Sequence, residues 1–369
     1  MHISGDRVFA FIVLFLVVGG AGIFLSAALG LLARESVSLG HIAVTQLLLG
    51  LIPGVIALAI LRFMPPVWLM RCVLPLYIFS VLLTCLVFVP GVGVNAGGAT
   101  RWIDLGPVTV QPAEFLKIGV VLMFALYLAK MKDKISDPRY GILAYGLIVG
   151  IPCLILLMQP NTSTVLILGA TTAALYFLAG APWRDFAILA LIAVIGLSLL
   201  VWQRPYLMHR VSTFINPAGD SLGKGYQIQQ SLIAIGSGGL IGRGFGQSVQ
   251  KFNYLPEPIG DSVFAVYGEE FGFLGTVFLV LLFTAFATRG FTIASQAKDA
   301  FGSYAAAGLT LIITLSAFLN IGAMLGVLPL TGLPLPFVSH GGTALLCALA
   351  SVGIILNVAA HRTKRRAHA

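Results

Sequence analysis

Along nearly the whole chain, apolar residues come in unbroken runs rather than in the alternation of a strand or the one-sided stripe of a soluble helix. A bilayer core of roughly 30 Å asks about 20 apolar residues of each spanning helix. Runs of that kind, bounded by Gly, Pro and charge, fall at about 8–33, 42–62, 72–90, 113–130, 141–158, 162–180, 185–202, 262–288, 304–326 and 342–360. The pattern predicts an all-α integral membrane protein with about ten transmembrane helices, residues 1–369 forming a single polytopic membrane domain. The first run is longer than the apolar core of a signal peptide and lacks a small-residue cleavage site, so it reads as a retained helix.

Composition agrees: 58% of the 369 residues are hydrophobic and 9% charged, far from the roughly one-quarter charged residues of soluble domains. The formal charge of +9 matters less by its sign than by its placement, and it is not read as nucleic-acid binding. With the N-terminus inside, Arg7, Arg62, Arg71, Lys130, Lys132, Lys134, Arg139, Arg184, Arg289, Lys298, Arg362, Lys364, Arg365 and Arg366 are cytoplasmic. The short outer segments keep only Arg34, Arg101 and Lys117, and one long outer loop holds Arg204, Arg210, Lys224, Arg243 and Lys251. The positive-inside bias therefore predicts both termini in the cytoplasm. Cys72, Cys85, Cys153 and Cys347 sit inside apolar runs without ligand spacing. His2, His41, His209, His340, His361 and His368 are scattered, so no metal cluster is legible.

Two outer segments are too long and too patterned to be connectors: Gly91 to Pro112, and the loop 203–261 between helices 7 and 8. In the larger one, Gly225 to Ile235 reads as an amphipathic helix with Tyr226, Ile228, Leu232 and Ile235 on one side, suited to lie along the membrane surface. Six glycines follow within Gly236 to Gly246, a flexible or tightly turned segment whose mobility would suit gating. Their spacing fails GxGxxG and no strand precedes them, which argues against a nucleotide fold. Between the last two runs, PLTGLPLPFVSHGG breaks helix near membrane depth, where irregular backbone is tolerated when it lines a cavity.

Carboxylates at membrane depth each ask for an explanation. Asp261 stands where the large loop enters the eighth run, either as a helix N-cap or as a general base at the outer lipid boundary. Glu269 and Glu270 lie roughly 12 Å further in at 1.5 Å per residue, facing a polar cavity or paired with basic residues of another helix. Glu114 and Lys117, three residues apart after Pro112, share one helix face as a local ion pair or as part of a pyrophosphate site with Arg101 and Trp102. Asn161, Thr162, Ser163 and Thr164 read as a cap for the sixth run.

Five motifs in order, GGATRWIDLG, QPAEFLK, NPAGDSLGKGYQIQQSLIAIGSGGLIGRG, YLPEPIGDSVFAVYGEEFGFLG and LPLPFVSHGGTALL, resemble the SEDS family of FtsW, RodA and SpoVE from the first span to the last. The YLPE wording leans towards FtsW. The resemblance implies a ten-span peptidoglycan glycosyltransferase of the bacterial cytoplasmic membrane, its active site facing outward, that polymerises lipid II for cell division or cell shape. It places the essential aspartate on Asp261 and the preceding PE glutamate on Glu257. Arg101, Trp102, Gln111, Glu114 and Lys117 fall on the RRW and QPSEFLK motifs, and Ser339 on the final loop. Thr100, Asn161, Gly260 and His340 depart from the usual arginine, acidic residue, threonine and tyrosine.

On this basis Asp261 is expected to take the proton of the acceptor hydroxyl as it attacks the donor's anomeric carbon. Arg101, Lys117, Arg210 or Arg243 would neutralise the departing undecaprenyl pyrophosphate, with a divalent cation, magnesium or manganese, admitted by the chemistry although no ligand set is legible. A class B penicillin-binding protein and other division or elongation membrane proteins are the expected partners. Two rivals stay open: a lipid II flippase, which Glu269 and Glu270 would suit, and a non-catalytic scaffold that would not need Asp261.

Overall fold

A computed structural model describes residues 6–33, 44–96, 99–106, 108–216, 219 and 223–362. Arg34, Lys364, Arg365, Arg366, His2, His41 and His368 lie outside the described residues. The first helices in chain order are α1 (Arg7–Leu29), α2 (Gln46–Phe63) and α3 (Pro66–Cys85). Strands β1 (Gly93–Ala96), β2 (Ala99–Asp104) and β3 (Thr109–Val110) follow. Next come α4 (Pro112–Met131), α5 (Ile142–Met158), α6 (Thr162–Leu178) and α7 (Trp183–Gln203). The chain continues through α8 (Pro205–Ile215), α9 (Lys224–Ser237), α10 (Val263–Ser295), α11 (Ala300–Met324) and α12 (Gly342–Ala360). Eight of these are long and apolar enough to cross a membrane, and α5 and α6 are shorter apolar helices, so together they occupy the ten predicted runs.

Prolines open α3, α4 and α8 at their first turn, where a missing N–H costs nothing. Asp6 and Asp299 cap α1 and α11, their carboxylates accepting from Phe9 N at 3.0 Å and Gly302 N at 2.7 Å. In α12, α4 and α11 the apolar window is 83%, 78% and 67% buried, against 6% for α7. The first three are therefore the centre of the bundle, and α7 offers nearly its whole surface to lipid. Lipid provides no hydrophobic drive between helices, so close approach must come from small residues. Gly353 of α12 lies so near Leu58 of α2 that an added Cβ would stand 2.7 Å from its carbonyl oxygen.

Two features of the outer segments were not legible as periodic runs. Residues 93–110 form an antiparallel sheet in the order β1-β2-β3, with Val94 opposite Trp102 and Ile103 opposite Val110. The large loop contains α8 as well as α9. The apolar side of α9 is divided: Ile228 is buried and Ile235 lies against Gly268 of α10, while Leu232 is exposed.

Helix α10 is broken at Gly272, whose φ of 65° and ψ of −163° belong to a region open essentially to glycine. The glycine-rich segment fills the break. Arg243 N and Gly244 N donate to the carbonyls of Glu269 and Glu270 at 3.0 Å each, while Phe273 N and Leu274 N donate to Gly239 O and Leu240 O at 2.8 and 3.0 Å. Backbone groups that a helix break would strand are thus paired, and the segment is the tightly turned one of the two readings. Just beyond it, Ser248 Oγ, Val249 N and Gln250 N donate to the Glu269 carboxylate at 2.6, 3.1 and 3.1 Å. The fully buried Lys251 Nζ reaches Glu270 Oε1 at 2.8 Å and Ser26 Oγ of α1 at 3.2 Å. Glu269 and Glu270 are therefore structural partners of the loop.

Candidate active site

A cavity of about 600 Å³ opens where the β-sheet, the loop entering α10 and the 331–342 segment meet. Its walls come from β2 (Arg101, Trp102), the start of α4 (Gln111, Glu114) and the start of α6 (Asn161, Ser163, Thr164). The loop entering α10 (Glu257, Gly260, Asp261) and the 331–342 segment close it, so the Pro- and Gly-rich stretch is a cavity wall. Arg101 projects from the middle of the sheet and is held by backbone carbonyls, Nε donating to Gln159 O at 3.2 Å and a terminal nitrogen to Pro160 O. Arg210 of α8 donates to Ser163 Oγ at 3.4 Å. Gly332 lies between Arg210 and Asp261: a Cβ there would stand 3.9 Å from Arg210 Nη2 and 4.0 Å from Asp261 Oδ2.

Asp261 is not a helix cap. The cap position of α10 is Ser262, without a side-chain capping bond, and the Asp261 carboxylate instead accepts from Gln227 Nε2 of α9 at 3.0 Å. Its backbone is fixed from three directions. Asn320 of α11 donates to Asp261 O at 2.8 Å and to Leu333 O at 2.7 Å. Ser339 Oγ donates to Gly260 O at 2.6 Å and accepts from Leu335 N at 2.8 Å. His340 N donates to Ile259 O at 2.7 Å. Burial pushes the Asp261 carboxyl up to about 6, opposed by the Gln227 hydrogen bond and reinforced by the like charge of Glu257. Glu257 itself holds a left-handed φ of 47°, uncommon for a residue with a Cβ. Its Oε2 would lie 3.2 Å from a Cβ on Gly260, so glycine leaves the room that this carboxylate occupies.

A family model described as "Cell cycle protein", covering FtsW, RodA and SpoVE, matches residues 6–364. The chain belongs to the FtsW, RodA and SpoVE family. Stage V sporulation protein E of Bacillus subtilis is 41% identical over 283 residues, 77% of each chain. A probable peptidoglycan glycosyltransferase FtsW of Geobacter sp. is 38% identical over 284 residues, again 77% of each. A chain of the solved structure described as "Structural coordination of polymerization and crosslinking by a peptidoglycan synthase complex" superposes with a TM-score of 0.77 at 29% identity, covering 98% of this chain and 99% of that one.

Within this FtsW, RodA and SpoVE scaffold the residues singled out in the sequence divide into three groups. Asp261, Glu257, Arg101, Trp102, Gln111 and Glu114 line the cavity. Lys117 bonds Glu114 at 2.9 Å and lines a narrow adjoining pocket of about 40 Å³, which Ser339 shares. The Ser339 hydroxyl is committed to backbone, where it holds the Asp261 loop in place. Arg243 is not brought to the cavity: its Nε lies 3.5 Å from Glu269 Oε1, in the segment docked on the α10 break. Asn161 occupies the cap position of α6 but makes no capping bond, accepting instead from Thr164 Oγ1 at 2.8 Å while both line the cavity. Gln227 and Asn320 were missed. Gln227 stands in the YQIQQS stretch of a motif that carried the resemblance, but its partner is 34 residues away, and no local spacing announces such a pair.

Proposed function

We infer that this chain is a peptidoglycan glycosyltransferase that polymerises lipid II into β-1,4 glycan strands at the outer face of the bacterial cytoplasmic membrane. The single observation that supports this most is a half-buried carboxylate, Asp261, on the wall of a cavity that also carries cationic and aromatic side chains, in a chain of this family. Asp261 accepts the proton of the acceptor GlcNAc 4-hydroxyl as that oxygen attacks the anomeric carbon of the donor MurNAc. The bond to undecaprenyl pyrophosphate breaks from the opposite face, which inverts the centre. Arg101 on the cavity wall and Arg210, across Gly332 from Asp261, are the cations assigned to the charge that grows on the leaving phosphate, together with Lys117 of the Glu114–Lys117 pair.

No three His, Cys, Asp or Glu converge among the described residues; a magnesium or manganese ion arriving with the pyrophosphate would have the Glu114 and Glu257 carboxylates of the cavity wall to meet it and would supply Lewis-acid stabilisation of the leaving group. The outward orientation rests on the basic residues gathered on the opposite side of the spans. A class B penicillin-binding protein is the partner proposed for cross-linking, in keeping with the synthase complex whose chain superposes on this one.

The test is strand formation from purified lipid II, with the partner present, resolved on a gel. Asp261→Ala and Asp261→Asn are expected to lower the rate by about 10² or more. Polymer formed by both variants at the wild-type rate would remove Asp261 as the base, and no polymer from the wild type would favour the scaffold or flippase reading.

A further inference from the structure

The two oxygens of the Asp261 carboxylate have different surroundings. Oδ1 accepts from Gln227 Nε2 at 3.0 Å and lies 3.5 Å from Ser262 Oγ. Oδ2 is the oxygen that faces Gly332, across which stands Arg210 Nη2. Gln227 is itself held. The same Nε2 donates to Ser262 Oγ at 2.9 Å, and its backbone carbonyl accepts from Ser231 Oγ at 2.8 Å. About two helical turns away Ile235 packs on Gly268, and Ile228, next to Gln227 on α9, is buried. These contacts hold the α9 backbone beside the Asp261 loop, and the two bonds of Nε2 set the direction of the amide.

We propose that Gln227 is a positioning residue for the glycosyl transfer: its amide fixes Oδ1 and so presents Oδ2 to the acceptor hydroxyl on the cavity side. This rests on the reading of Asp261 as the base. In the reaction the acceptor O–H bond breaks and its proton passes to Oδ2. The oxygen's electron pair forms the bond to the anomeric carbon, and the pair of the breaking C–O bond leaves with the pyrophosphate. A donor on Oδ1 does two things at once. It removes one of two rotational settings of the carboxylate, and it stabilises the ionised form that must be present before the proton moves.

Because that stabilisation is electrostatic, it has a signature in pH that mere structural support lacks. The other charged or titratable groups around Asp261 are Glu257 on its own loop, Arg210 from α8, Arg101 from β2, Glu114 from α4 and His340 from the 331–342 segment. All stay in place when Gln227 is changed. Loss of one donor to a charged acceptor is then expected to move the acid limb of the rate profile up by about one pH unit.

The experiment is the initial rate of strand formation from lipid II across the acid limb for wild type, Gln227→Met, Gln227→Glu and Asp261→Asn. Methionine keeps the length of the side chain without a donor. Glutamate keeps its shape and adds a charge of the same sign as Asp261. The expected result is a limb displaced upward in Gln227→Met and further in Gln227→Glu, with much of the rate recovered above it. If Asp261→Asn is inactive while both Gln227 variants lose rate equally at every pH with the limb unmoved, the positioning role falls and the base stands. If Asp261→Asn keeps the wild-type rate and pH profile, the base reading falls and takes the positioning role with it. Should Gln227→Met fail to fold by size exclusion, Gln227→Glu alone decides, since an unmoved limb there overturns the proposal equally.

Discussion

A carboxyl held at about 6 is mostly ionised at neutral pH, yet close enough to it to return its proton between turnovers. The proposed base should therefore lose activity as pH falls through about 6, which a rate profile of strand formation measures. The same displacement has a cost in stability whose sign is fixed by linkage. An acid whose folded value lies above its unfolded one, 3.8, destabilises the fold wherever it is ionised in both states. That penalty is complete above about pH 6 and absent below about pH 4. Asp261→Asn is accordingly expected to melt at a higher temperature than wild type at neutral pH, with the gap closing on acidification, as thermal unfolding in detergent at several pH values would register. Activity and stability pull in opposite directions at this position, as they do where a site is built against its own fold. At this scale the sequence made Asp261 and the Glu114–Lys117 pair legible, because each stands where an apolar run begins, whereas Glu257 was marked only by the family resemblance. Gln227 and Asn320 are ordinary polar residues until tertiary contacts bring them to Asp261, and Arg243 looked eligible only because a loop's charges cannot be assigned to one side of it by counting.

At the scale of elements, the break at Gly272 and the segment docked on it behave as one unit. A Cβ at Gly272 would stand 2.4 Å from Gly242 N and 2.8 Å from the Ile241 carbonyl carbon, on a backbone only glycine adopts freely. Gly272→Ala should destabilise by about 3 kcal/mol or more, combining backbone strain with overpacking; a melting temperature within error of wild type would contradict the docking. Lys251 gives a second test. Lys251→Met leaves Glu270 buried without its counter-charge and should cost about 3–5 kcal/mol, while adding Glu270→Gln should recover much of it, a comparison that a double-mutant cycle in detergent reads directly. The hydrophobic runs were visible because lipid-facing helices need nothing but length and apolarity. The three-stranded sheet was not, since its strands are short and interrupted by glycines that also mark loops, and α8 is hidden because its start, Pro205, sits two residues past the end of α7.

Taken whole, the molecule is a core of α4, α11 and α12 ringed by helices whose outer faces are apolar, with the cavity at one end and a charge cluster near the chain's two ends at the other. There Asp6 receives Arg289 of α10 at 2.7 Å and Arg362 at 3.0 Å. Burial alone would raise the Asp6 carboxyl, but these two guanidinium groups and the Phe9 amide hold it below the ordinary carboxylate value. The stabilisation is present above the unfolded value and is lost as pH falls through the lower folded one. Asp6→Asn should thus lower the melting temperature at neutral pH and make no difference in strong acid, which parallel melts would show. The number of spans and the bias of charge were readable at this scale, whereas which helices are central was not, because apolarity does not rank them: α4 and α11 are the least apolar of the eight spans and α12 is no more apolar than helices at the edge.

The contact between Lys251, Glu270 and Ser26 also says something about the order in which the protein comes into being. Ser26 and Lys251 are separated by 225 residues of sequence. The first helix therefore enters the bilayer long before the groups that complete its polar contact have left the ribosome, and between Lys251 and Glu270 a nascent chain carries a cation destined for burial but not yet the carboxylate that will balance it. The loop 203–261 can consequently close over α1 and the start of α10 only after Glu270 has been made, and its last contacts wait for Asn320, Ser339 and His340. A chain stopped between Lys251 and Glu270 therefore carries a lysine built for burial with no carboxylate to receive it.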